Sequence, residues 1–173
     1  MDRNLFINIL ILIGLVIIQV LACNHIMLFH VAMAFVFIYV IIRLPMDLNV
    51  NWVLTWAFLA GLLVDIFSDT LGVNALACTI LAIVRKPMLY AYVPRDDRTK
   101  NIEPSLRELG FSVYGKYLFS LSLIYCFLVF TIEYFNFADV KDIVIMTAAS
   151  AVFTFIILLG LDSLIVTNRE KRL

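Results

Sequence analysis

The sequence predicts an all-helical integral membrane protein, a bundle of six transmembrane helices, on three observations. Hydrophobic residues make up 64% of the 173, well above the roughly 45–50% of soluble domains. Charged residues reach only 15%, and the mean hydropathy is +1.02. The apolar residues gather into long runs separated by short polar breaks, more than the interior of a soluble domain this small can hide. The length suits a single polytopic domain over residues 1–173.

Each span follows from where the charges stop. Leu5 to Ile42 contains no Asp, Glu, Lys or Arg. As one helix it would measure about 57 Å, against about 30 Å of hydrocarbon, so it folds back. Cys23-Asn24-His25 is the polar break near its middle, which sets span 1 at about 5–22 and span 2 at about 27–42. The basic start resembles a signal peptide but lacks an A-x-A-like cleavage site, so it is expected to be a retained span. Arg43 to Asn51, with Pro45 and Asp47, is a loop. Span 3, about 50–67, opens with Trp52 and Trp56, which suit an interfacial belt. Ser68 to Asn74 is a turn. Span 4, about 71–92, has a short charge-free stretch; Arg85 and Lys86 are expected to snorkel from its end, and Pro87 to kink its continuation. A charged loop, about 94–111, holds a short surface helix at Pro104 to Leu109. Spans 5 and 6 lie at about 113–132 and 142–166, and Arg169, Lys171 and Arg172 form a basic tail.

Orientation follows from Lys and Arg. Six spans with both termini cytoplasmic put Arg3, Arg43, the seven basic residues from Arg85 to Lys116 and the three of the tail inside, leaving Lys141 outside. A five-span alternative without span 4 gives a poorer split of ten to three. Thirteen Lys and Arg balance thirteen Asp and Glu, so no basic excess points to nucleic acid.

The sequence has no phosphate loop, no dinucleotide fingerprint, no H-E-x-x-H and no nucleophile elbow. Its two histidines, His25 and His30, lie near Cys23 with no carboxylate to complete a zinc set. Cys23, Cys78 and Cys126 fit no metal or disulfide spacing and act as apolar fillers. No catalytic, cofactor or metal residue is expected.

The informative stretch is Gly61 to Leu76, GLLVDIFSDTLGVNAL. Asp65 and Asp69 are four apart, which puts both on one side of span 3 near its outer end. A carboxylate at that depth needs a partner; the first N–H groups of span 4, with Asn74 as its N-cap, are the expected ones. A tight inter-helix turn, a ligand site and a partner contact all fit this cluster. Ala57 and Gly61 on span 3, and Thr147/Ala151 and Ser150/Thr154 on span 6, are small-xxx-small pairs that let helices approach closely. Glu133 and Asp162 are expected at the interface.

At Gly61, Leu63, Asp65, Gly72, Asn74 and Ala75 the chain resembles the bacterial rod shape-determining membrane protein MreD family. Similar length, cytoplasmic ends and a basic tail extend the resemblance over nearly the whole chain. It implies a non-enzymatic inner-membrane subunit of the cell-elongation complex. The implied partners are an MreC-like protein, MreB, RodA and its penicillin-binding transpeptidase. It also implies a fold like the six-helix substrate-binding subunits of energy-coupling factor transporters. A vitamin-transport subunit is therefore the competing function, with Asp65, Asp69 and Asn74 as its polar groups. Against it, span 1 lacks the Ala-x-x-x-Ala contact such subunits show, since Gly14 and Ala22 are its only small residues.

Overall fold

A computed structural model describes residues 14–19, 33–70, 72–94, 103–134 and 139–170, with side chains to 164. These residues include no strand and form six helical segments. They are α1 (14–18), α2 (Ile38–Arg43), α3 (Val50–Ser68), α4 (Val73–Tyr92), α5 (Leu106–Tyr134) and α6 (Val140–Glu170). Four stretches are long and apolar enough to cross a membrane: Val50–Ser68, Val73–Tyr92, Leu106–Tyr134 and Val140–Leu164. That pattern is consistent with a multi-pass membrane protein. The Cys23-Asn24-His25 break, His30, most of span 1, the 95–102 part of the charged loop, and Lys171 and Arg172 lie outside the described residues.

Two antiparallel hairpins, α3–α4 and α5–α6, make up most of the bundle, and α4 packs on α5. The short α2 sits against α3 and α4. Ile38 to Ile42 are all buried, as expected of a helix that is apolar on every side. Outward faces carry large apolar side chains such as Phe58, Ile66, Phe111, Phe127, Ile145 and Ile156.

Span 2 requires a correction. In its described part the helix begins only at Ile38, and residues 33–36 have no helical structure. Hydropathy does not distinguish a helix from buried extended backbone, and both read as an apolar run. The side chains that hold this stretch out of the helix are Gln19, which directly follows α1, and Ser150 and Thr154 of α6, more than a hundred residues further along the chain.

The 94–111 loop is shorter than expected, because α5 starts at Leu106. Its leading turn is the short helix read at Pro104 to Leu109. Ser105 begins it, accepting the Glu108 N–H at 3.3 Å, while the Glu108 carboxylate reaches back to the Glu103 N–H at 2.8 Å. This is close to a capping box. Gly110, at φ 72° and ψ 160°, then kinks the chain into the long part of α5, a conformation that favours glycine.

Candidate functional site

The α3–α4 hairpin holds all six candidate residues, and it is built on a close helix crossing. A Cβ added to Gly61 would lie 2.5 Å from the Asn74 carbonyl oxygen and 2.6 Å from Ala75 Cα. Only glycine fits there. Ala57, one turn earlier, is fully buried on the same helix. The small-xxx-small pair is therefore used inside the bundle.

Asp65 is buried and accepts four hydrogen bonds. Its Oδ1 takes the Asn74 N–H (3.0 Å), the Asn74 side-chain amide (2.9 Å) and the Thr70 hydroxyl (2.5 Å). Its Oδ2 takes the Ala75 N–H at 2.8 Å. The first N–H groups of a helix have no partner within it, and the N-cap of α4 is Gly72, which has no side chain to offer. Asp65 therefore caps α4 from the neighbouring helix, with its negative charge at the positive end of the α4 dipole. The N–H groups at the start of α4 are its partners, as the sequence suggested.

Two details differ from expectation. Asn74 is not the N-cap; it lies inside the first turn of α4 and works through its side chain. Its Nδ2 donates to Asp65 and, at 3.3 Å, to Thr70, and its Oδ1 accepts the buried Tyr125 hydroxyl of α5 at 2.6 Å. Asp69 does not share a face with Asp65. The helix ends at Ser68, and Asp69 is its exposed C-cap in the left-handed region, φ 55°, its N–H bonded to the Asp65 carbonyl. The four-residue spacing holds only while the helix continues, and Asp is one of the few residues to enter that region readily. Gly72 follows at φ 78°.

The opposite end carries a second set of polar ties, and here too the sequence reading needs correction. Arg85 does not snorkel. It is buried, and its Nη1 donates to the carbonyls of Ile41 (3.1 Å) and Leu44 (2.7 Å) while Nη2 donates to Pro45 (3.0 Å). It thereby caps the C-terminal end of α2, where a cation is favoured. Tyr117 adds a bond to the Ile42 carbonyl at 3.4 Å.

Asp162 is not interfacial but fully buried. Its Oδ1 accepts the Tyr39 hydroxyl at 2.7 Å and pairs with Arg43 at 3.0 Å, the one salt bridge among the described residues. Its Oδ2 accepts the Leu106 N–H at 2.9 Å. Arg43 also donates to the Tyr39 hydroxyl. One carboxylate thus joins α2, the start of α5 and α6.

Between the two ends lies an aromatic cluster. Tyr125 meets Phe35 and Phe37 edge-on, with centroids 5.1 and 5.9 Å apart, and Phe35 meets Phe130 at 6.2 Å. Such T-shaped contacts add to apolar burial.

Nothing in the sequence marks Tyr125, Tyr39 and Gln19 as more than packing residues. Arg85 did carry a signal. Once Pro87 is accepted within a twenty-residue α4, a charge two residues before it lies inside an apolar helix, and such a charge needs a partner. Among the described residues, no group of three or more His, Cys, Asp and Glu could hold a metal ion. The fold defines an all-helical protein with four membrane-length apolar helices tied by buried polar groups. No family model, curated protein or solved structure matches the chain.

Proposed function

We propose that this chain is a non-enzymatic, multi-pass subunit of the bacterial inner membrane with cytoplasmic termini, of the rod shape-determining MreD kind. In this reading it docks the membrane anchor of an MreC-like protein. Through that contact it helps place peptidoglycan synthesis by the elongation machinery, alongside MreB, RodA and the penicillin-binding transpeptidase.

The observation that carries the reading is the α3–α4 hairpin. Its signature residues occupy places that demand their type: Gly61 at a crossing with no room for a Cβ, Asp65 as a cap, and Gly72 at positive φ. A motif of this kind preserves a scaffold. Gln19, Arg85 and Asp162 serve the same end, since all three hold backbone groups.

The vitamin-transport alternative loses its main support. Asp65 and Asn74 direct their polar atoms at each other, Thr70, Tyr125 and the start of α4. Of the three groups that reading relied on, only Asp69 is exposed.

Deletion of the gene in its host tests the proposal. Loss of rod shape, restored by a plasmid copy, is the expected result; normal rods with normal growth would contradict it.

A further inference from the structure

Residues 33–36 run through the bundle as non-helical backbone ahead of α2. Backbone at membrane depth must find its partners within the protein. Here they are side chains on two sides. On one side, Ser150 and Thr154 of α6 accept the N–H groups of Met33 (3.0 Å) and Phe35 (3.1 Å). On the other, the Gln19 carboxamide accepts the Val36 N–H at 2.8 Å and donates to the Ala34 carbonyl at 2.9 Å. The alternation is that of a β-strand edge. The spacings match as well: four helical residues advance about 6 Å and two extended residues about 6.6 Å. Hydroxyls one turn apart on α6 thus bind every second N–H of the extended segment.

We propose that residues 33–36 form a hinge, held extended by Gln19, Ser150 and Thr154 and able to rewind as an N-terminal extension of α2. Among the described residues, no side-chain cap closes α2 at that end. Phe37 already has helical angles, φ −65° and ψ −23°, and makes no side-chain cap. Residues 33–37, Met-Ala-Phe-Val-Phe, include no Gly or Pro. On rewinding, the backbone groups satisfy one another, and the serine and threonine hydroxyls turn to carbonyls in the preceding turn of α6. The hinge is held from α1 on one side and from α6 on the other, so a change in the spacing of those helices releases it. The movement then passes to α2, and through Tyr39 and Asp162 to the start of α5.

Rewinding four residues shortens the path by roughly 7 Å. Nitroxide pairs placed on the full-length protein in lipid nanodiscs, with the native cysteines replaced by alanine, read this directly. One pair joins position 33 to 140 and the other joins 33 to 164; Val140 and Leu164 are both exposed. In the variant Gln19→Leu/Ser150→Ala/Thr154→Val, the first distance is expected to lengthen and the second to shorten, each by roughly 7 Å. The hydroxyl-preserving variant Ser150→Thr/Thr154→Ser is expected to keep the parent distances. If the triple variant does not fold, Ser150→Ala and Thr154→Ala, each losing one acceptor, should show a second population at the shifted distances. Unchanged single distances in the triple variant, or in both single variants, would overturn the hinge.

Discussion

Replacing Asp65 with asparagine removes one charge and almost no volume, so it isolates what the carboxylate does. The carboxylate offers acceptors only, and it faces four donors. Asparagine keeps one oxygen. If that oxygen stays with Asn74 and Thr70, the new amide group points at the Ala75 N–H, now 2.8 Å from Oδ2. That N–H loses its acceptor in a buried position, which costs about 1–3 kcal/mol, and the bonds that remain lose their charge assistance, worth about 1.5–3 kcal/mol with the charge. The expected loss is about 3–5 kcal/mol, the scale seen when a buried charged network is broken. For a chain of this size that corresponds to a melting shift of roughly 10 °C. Melting of the detergent-solubilised protein, followed by size-exclusion chromatography after heating, measures it. Asn74→Ala should lose much of the same stabilisation, and the double variant less than the sum of the two singles. A melting temperature for Asp65→Asn within about 1 °C of the parent would refute the capping account.

Three further outcomes follow from the same geometry. Gly61→Ala should destabilise the protein by about 1–3 kcal/mol, since its Cβ meets backbone rather than a movable side chain; the same melting assay reads it. Arg85→Met should leave the Ile41, Leu44 and Pro45 carbonyls without their donor and destabilise strongly, while Arg85→Lys recovers only part of the loss because an ammonium lacks the fork geometry. Asp47→Cys and Asp69→Cys, both at exposed positions, should react with a membrane-impermeant maleimide from opposite faces, and Asp65→Cys should be protected from both. Labelling of positions 47 and 69 from the same face would contradict a membrane crossing by α3.

The apolar helices were legible because charge-free runs and hydrocarbon thickness determine them almost by themselves. The tie between Asp65 and the start of α4 was legible for a related reason: its partners lie within ten residues, in one turn. What sequence pattern could not supply was contact between distant segments. Residues 33–36 read as part of a helix because the groups that hold them extended, Gln19, Ser150 and Thr154, belong to other helices. Asp162 looked interfacial for the same reason, since its partners Tyr39, Arg43 and Leu106 come from elsewhere in the chain. Asp69 shows a different limit. Its face depended on where α3 stops, and helix ends are set by cap geometry that the Asp65–Asp69 spacing does not encode.

The partner contact is central to the proposed function, and one measurement addresses it directly. A tagged copy is purified from native membranes in mild detergent, and the proteins that accompany it are identified by mass spectrometry. Co-purification of an MreC-like protein, with or without the elongation synthases, is the predicted result. Recovery of a coupling protein with its ATPase pair, and no cell-elongation protein, would contradict the scaffold and return the chain to the transport reading.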